Sequence, residues 1–134
     1  MNPATLKQLR YFDALARHCH FGRAAETCAI SQPALSMQIK ELEETLGGVL
    51  IERGARQVGL TNFGEEVAMR VRDILRAVDE LDERSTLSDE TWAALGEELS
   101  DRQRMDLVFT VGAYAMLAMA FNTFGVQLEQ EKGK

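Results

Sequence analysis

The chain has 134 residues, 46% hydrophobic and 27% charged, with a net charge of −6. This is the make-up of a folded protein with one modest domain or two very small ones, and its acidic balance excludes a protein that coats nucleic acid indiscriminately. The charge is unevenly spread: residues 1–60 hold 7 Lys/Arg and 6 Asp/Glu, residues 61–134 hold 8 and 15, so a phosphate backbone would meet the first half and be repelled by the second.

Leu6, Leu9, Phe12, Leu15 and Cys19 recur every three or four residues and predict a first helix, broken at Gly22. A short second helix is expected over Arg23–Cys28, with Ala24, Ala25 and Cys28 inward. Ala29-Ile30-Ser31 has room only for a tight turn. Ser31 is a good N-cap and Pro33 suits a first helical turn, so a third helix is expected to run to Leu46 and stop at Gly47-Gly48. Cys19 and Cys28 have neither redox-pair nor zinc spacing and are expected to be small buried hydrophobes, with no metal and no cofactor. The N-terminus leads straight into a charged helix, with no signal peptide, and predicts a cytoplasmic protein.

Val49–Arg53 and Gln57–Leu60 flank Gly54-Ala55-Arg56 and predict a hairpin. Thr61 then caps a long helix whose apolar positions Val67, Val71, Ile74, Val78 and Leu81 are spaced 4, 3, 4, 3. Such a narrow seam suits a partner helix, although a helix lying on its own domain shows the same period. Asp82–Leu87 is expected to be a loop, Ser88 to cap a helix through Leu99, and Ser100-Asp101-Arg102-Gln103 to form a capping box opening a helix that ends at Gly125. From Leu107 to Phe121 that last helix is nearly all apolar, too short to span a membrane and too apolar to stand alone in water. Gly112, Ala115 and Ala118 would admit another helix closely, so packing against other subunits is expected. Trp92 is expected to anchor this C-terminal part, with the Tyr114 hydroxyl against a neighbouring helix.

Helix, three-residue turn, helix is the helix-turn-helix arrangement. On the third helix Leu35, Ile39, Leu42 and Leu46 share one side, while Pro33, Met37 and Lys40 face the other with Ser36 flanking them. The acids Glu41, Glu43 and Glu44 gather at its C-terminal end and none stands at its N-terminal end, so the N-terminus is the end that would enter a major groove. Gln32 can pair with adenine edges, Ser36 with any polar edge, and Pro33 or Met37 can touch a thymine methyl. A solvated helix face that never meets DNA is the competing explanation of the same pattern.

The stretch from Phe21 to Val67 resembles the DNA-binding domain of the LysR-type transcriptional regulators. The pieces that carry the likeness are Ala24-Ala25, Ser31-Gln32-Pro33-Ala34-Leu35-Ser36, Gln38-Ile39, Leu42-Glu43, Leu46-Gly47, Leu50, Arg53, and Leu60-Thr61 followed by Gly64. It covers about residues 4–84, departing at Cys28, where a leucine is common. The resemblance implies a mainly α protein: a winged helix-turn-helix over 1–61 with a small β-hairpin wing, a linker and dimerisation helix over 62–84, then a two-helix C-terminal oligomerisation segment over 85–134. It implies double-stranded DNA as partner, a partly palindromic operator, and a homodimer or higher homo-oligomer paired through Val67, Val71, Ile74, Val78 and Leu81. Gln32, Pro33, Ser36 and Met37 would face bases; Ser31, Lys40, Arg53 and Arg56 would hold the DNA backbone. The family's long effector-binding domain does not fit in the remaining residues, so no small-molecule effector is expected.

A second resemblance covers about residues 74–129. Thr91-Trp92-Ala93-Ala94-Leu95, Asp106-Leu107, Thr110-Val111-Gly112-Ala113-Tyr114 and the run Asn122–Leu128 look like the C-terminal helical part of the carboxymuconolactone decarboxylase family. It implies an oligomerising helical unit and no catalysis, because this half has neither cysteine nor histidine and Cys19, Cys28, His18 and His20 have the wrong spacing to substitute. The expected function is therefore a DNA-binding transcriptional regulator that is not an enzyme. The alternatives are an interaction module forming hybrid dimers with a related regulator, or a decarboxylase-like subunit. His20, at the end of the first helix, could reach a phosphate; His18 is read as a surface residue.

Overall fold

The computed structural model describes residues 3–54 and 57–124. It divides into two compact units, Met1–Leu75 and Arg76–Lys134, so the division falls inside the long fourth helix.

In the first unit, α1 (Leu6–His18) opens with a capping box that the leucine spacing did not reveal. The Gln8 N–H donates to Thr5 Oγ1 and the Thr5 N–H donates back to Gln8 Oε1, each at 3.1 Å. The helix ends before Gly22: Cys19 adopts a left-handed conformation at φ 48° and its N–H closes on the Leu15 carbonyl. That cap turns Cys19 away from the apolar face, so it is exposed, contrary to expectation; Cys28 is half-buried. Burial, with the Asp13 carboxylate nearby, pushes the Cys28 thiol up, which keeps it in its protonated, hydrophobe-like form.

The second helix, α2 (Phe21–Thr27), starts two residues earlier than the sequence suggests, and Gly22 lies inside it. The cap is His20, whose Nδ1 accepts the Arg23 N–H at 3.1 Å. His18 is also engaged. Thr27 Oγ1 donates to the Arg23 carbonyl at 3.0 Å, so His18 Nε2 is the donor in its 2.9 Å bond to Thr27. Ala29 turns the chain at φ 54° into α3 (Gln32–Leu46), which Ser31 caps by accepting the Ala34 N–H at 3.2 Å. Gly47 ends α3 at φ 73°, where a side chain would be strained.

Phe12, Leu15, Leu35, Ile39, Leu42 and Leu50 are the fully buried centre of this unit. Leu46, expected on the core side, is 37% exposed, at the last residue of α3. β1 (Ile51–Arg53) and β2 (Val58–Leu60) pair antiparallel with Ile51 opposite Leu60 and Arg53 opposite Val58. The strands are shorter than the β-prone runs, and Ala55 and Arg56 lie outside the described residues. Thr61 Oγ1 accepts the Gly64 N–H at 2.9 Å and donates to the Val49 carbonyl, closing the wing onto α4 (Asn62–Arg84). Gly64 is required here: a Cβ would stand 2.1 Å from the Leu50 carbonyl oxygen. Ala68, Val71 and Leu75 of α4 complete the core.

In the second unit α4 continues to Arg84, and Ser88 caps α5 (Asp89–Gly96). This helix stops three residues short of Leu99, in a tighter turn where the Glu97 and Glu98 N–H groups reach back only three residues. The Ser100–Gln103 capping box is present and opens α6 (Asp101–Phe124). The expected stop at Gly125 lies outside the described residues. Glu80 joins α4 to α5, accepting from Thr91 Oγ1 at 2.6 Å and from the Ser88 N–H at 2.9 Å. Trp92 is half-buried beneath the Arg104 guanidinium, 4.3 Å from its ring. Tyr114 is 71% exposed rather than set against a neighbouring helix, and Phe109, Met116 and Met119 are similarly open. No helix among the described residues is long and apolar enough to cross a membrane.

Candidate nucleic-acid interface

A helix with one buried and one polar side must turn the polar side outward, and α3 does so in a narrow line. Leu35, Ile39 and Leu42 are fully buried. On the opposite side Gln32, Pro33, Met37 and Lys40 are exposed, with Ser36 half-buried at the edge. Met37 is 57% exposed, an apolar side chain in water at the middle of this face. Ser31 is exposed too, but its hydroxyl oxygen is committed to the cap.

Two neighbours frame the N-terminal end of that face. A Cβ at Gly22 would lie 3.8 Å from Gln32 Oε1, so the first turn of α2 borders the first turn of α3. Arg53, exposed at the end of β1, holds its guanidinium 6.0 Å from the Phe21 ring, which brings the wing to the same edge. Neither α2 nor α3 has an acid in its first turn. The edge thus offers an arginine, helix N–H groups and neutral polar side chains, a set that suits an anion.

The acids at the other end of α3 are in part structural. Glu43 Oε1 accepts the Leu50 and Ile51 N–H groups at 2.9 and 3.3 Å. Gln8 Nε2 donates to Gln38 Oε1 at 3.2 Å and reaches Glu41 Oε2 at 3.5 Å, tying α1 to α3. Gln38 therefore braces the fold, whereas Gln32 faces out. Sequence patterning gave no sign of Phe21 under Arg53, or of the His20 cap; the spacing of Phe21 ahead of Ala24-Ala25 was the only signal available.

Along α4 the 4, 3, 4, 3 positions divide. Val71 is 3% and Val78 8% exposed, while Val67, Ile74 and Leu81 are half-buried. Val67 and Val71 lie in or against the core of the first unit, so only part of the seam is open. Arg56 lies outside the described residues. No cluster of metal-ligating side chains occurs among the described residues.

Residues 6–65 match the family of bacterial regulatory helix-turn-helix proteins described as the lysR family. Among solved structures, the complex of the BenM DNA-binding domain with catB site 1 DNA is 40% identical, covers 60% of this chain and 90% of that domain, and superposes with a TM-score of 0.59. The chain belongs to the lysR family. Among curated relatives of this lysR-family chain, the DNA-binding transcriptional dual regulator OxyR of Escherichia coli is 38% identical over 122 residues, 89% of this chain and 38% of that protein. The SDS degradation transcriptional activation protein of a Pseudomonas species is 54% identical over 70 residues, 52% of this chain and 23% of that protein. The chain thus spans well under half the length of the curated relatives it matches. An alignment covering 89% of the chain necessarily runs past residue 84, so the segment that resembled the carboxymuconolactone decarboxylase family aligns with a lysR-family regulator instead, and the decarboxylase resemblance is not upheld.

Proposed function

We propose that this chain is a sequence-specific DNA-binding regulator of transcription, acting in the cytoplasm and not as an enzyme, that sets the N-terminal half of α3 into the major groove. The observation that carries the reading is the exposed line Gln32, Pro33, Met37 and Lys40 on a helix whose opposite side buries Leu35, Ile39 and Leu42 completely. Gln32 and Ser36 supply hydrogen-bonding groups for base edges, and Pro33 and Met37 supply apolar contact for a thymine methyl. Arg53 and Lys40 hold phosphates, as does Arg56. The BenM domain, a neighbour at 40% identity, is described in complex with DNA, which supports double-stranded DNA as the partner.

One such head makes few contacts, so two heads on a partly palindromic site share one encounter and bind far more tightly. The open part of the α4 seam, Ile74 and Leu81, is the proposed dimer contact. The exposed positions Met105, Phe109, Gly112, Met116 and Met119 of α6 repeat the 4, 3, 4, 3 spacing and suit association of further copies. Selection of bound fragments from random duplex DNA, followed by titration over a salt series, tests the reading. A palindromic motif with steep salt dependence is expected; equal binding to every duplex would overturn it.

A further inference from the structure

We propose that α6 docks on a second copy of this chain: two α6 helices cross antiparallel about Gly112, and the far end of each fills an apolar groove in the second unit of the other. This rests on the reading of α6 as an associating helix. The groove is a cavity of about 320 Å3 whose apolar lining is Leu81, Leu87, Trp92, Met105 and Val108. The occupant is the rest of the same helix. α6 has 24 residues and α5 only 8, so at 1.5 Å per residue about 24 Å of α6 extends beyond the reach of α5. Met116 and Met119 are 69% and 68% exposed there, and no charged residue occurs from Leu107 to Phe121. A helix so apolar needs cover in water.

The symmetry of one stripe selects a second copy as that cover. Met105, Val108, Gly112, Met116 and Met119 follow at steps of 3, 4, 4 and 3, which keeps them on one side of the helix and reads the same from either end. A two-fold axis at Gly112 therefore sets the partner's Met119 against Met105 and the partner's Met116 against Val108, so the open methionines meet two residues of the groove. Gly112 suits the crossing point. A Cβ there would meet nothing within 4 Å in its own chain, whereas one at Gly64 or Gly96 would strike Leu50 or Arg104. Glycine weakens a helix interior, and Gly112 has no left-handed φ to justify it; a helix passing close by does. Phe109, 68% exposed, flanks the stripe, while Tyr114 lies on the opposite side. At roughly 50–100 Å2 for each apolar side chain of stripe and groove, the pair buries on the order of 1,000 Å2, where specific interfaces begin.

The test is disulfide trapping in the full chain, with Cys19→Ser and Cys28→Ala removing the native thiols and melting curves checking the fold. Single cysteines are placed by Met105→Cys, Gly112→Cys, Tyr114→Cys or Met119→Cys, all at exposed positions. A disulfide needs its Cα atoms within about 7 Å. Gly112→Cys is expected to form a covalent pair under mild oxidation, and Tyr114→Cys to stay single. Met105→Cys alone and Met119→Cys alone are expected to stay single, because across the axis each lies about 21 Å from its own copy. Mixed together, those two are expected to give the hybrid pair. Covalent pairs from Met105→Cys or Met119→Cys alone would mean parallel helices, which overturns the groove docking and leaves association through α6 standing. Trapping of Tyr114→Cys as fast as Gly112→Cys would mean random collision and overturn the proposal. No trapping at any position, in a chain that sedimentation shows to be paired, would overturn both the docking and the reading of α6, and leave α4 as the contact. A chain that sediments as a single copy at every concentration would remove both contacts and the proposal with them.

Discussion

Glu43 Oε1 accepts the Leu50 N–H at 2.9 Å, so the same helix that presents Gln32 also holds the first residues of the wing. The bond fixes two elements at once, because the Ile51 N–H reaches the same oxygen at 3.3 Å. Removing the acceptor leaves two strand-entry N–H groups without it. Glu43→Ala is therefore expected to lower stability by about 1–2 kcal/mol and to loosen β1. Glu44→Ala, at an exposed neighbouring position, is expected to change stability by less than about 0.5 kcal/mol. Denaturant unfolding of both variants checks this, and equal losses would mean that the Glu43 bonds contribute nothing.

The contrast between Glu43 and Glu44 also shows where the sequence was legible. Both read as acids on a solvated helix end, because a carboxylate that bonds backbone seven residues later leaves no periodic trace. The course of α3 was readable from Ser31, the leucine side and Gly47, since caps and period are local. The start of α2 was not: histidine is an unusual cap and Gly22 looked like a breaker. The exposure of Cys19 was hidden for a similar reason, as a left-handed cap takes a residue off the face its number assigns. Val71 illustrates a deeper limit. A 4, 3, 4, 3 spacing marks a buried stripe without saying whose surface buries it, and Val71 is buried in its own unit. In the candidate interface, the exposed line on α3 was legible, whereas the approach of Phe21 to Arg53 depends on tertiary packing that no local pattern encodes.

Gln32 and Arg53 are expected to fail in different ways. Gln32→Ala should weaken binding to a preferred site by about 1–3 kcal/mol and leave non-specific binding alone, as loss of a base contact does. Arg53→Ala should weaken binding to every duplex and lower the salt slope by about one. Fluorescence anisotropy over a salt series separates the two. If Gln32→Ala lowers both kinds of binding together, the side chain does not read bases.

Dimerisation through α4 is best probed where the helix is open. Val71→Asp would bury a charge in the core of the first unit and is expected to unfold it, which says nothing about pairing. Ile74→Asp and Leu81→Asp fall at half-buried positions and are expected to leave the head folded while shifting the chain from dimer to monomer. Sedimentation across a concentration series, with circular dichroism to check folding, reads the outcome. Intact dimers in both variants would move the contact to another surface, with Phe109→Glu on α6 as the next test.

Glu80 makes the second unit acid-sensitive. Its bond from Thr91, then that from the Ser88 N–H, with further help from Ser88 Oγ and Arg76, holds the carboxyl down from 4.5 to about 2. A carboxyl depressed by folding contributes stability that is fully present above its ordinary value of 4.5 and is lost as the pH falls towards about 2. Glu80→Gln is thus expected to melt below the wild type near neutral pH, with the gap narrowing through that acid window. Melting curves followed at Trp92 report it directly, since that residue lies in the α5 that Glu80 holds. A gap that stays constant down to acid pH would assign the effect to packing rather than to the charge.

Ala29 holds the turn between α2 and α3 in a left-handed conformation, φ 54°, and it is exposed. For an L-residue that conformation costs roughly 1–2 kcal/mol, because Cβ crowds the carbonyl oxygen. Glycine avoids this cost but loses more chain entropy on folding, roughly 0.5–1 kcal/mol against alanine. The balance favours glycine, so Ala29→Gly is expected to stabilise the first unit by about 0.5–1 kcal/mol. The turn is anchored by the Ala29 N–H on the Glu26 carbonyl and the Ile30 N–H on the Ala25 carbonyl, both at 3.1 Å, so the angle between α2 and α3 should not change. DNA affinity is then expected to stay at the wild-type value while the melting temperature rises by a few degrees. A drop in stability would mean that alanine relaxes out of the left-handed region in solution, and that the turn is set by its two hydrogen bonds alone.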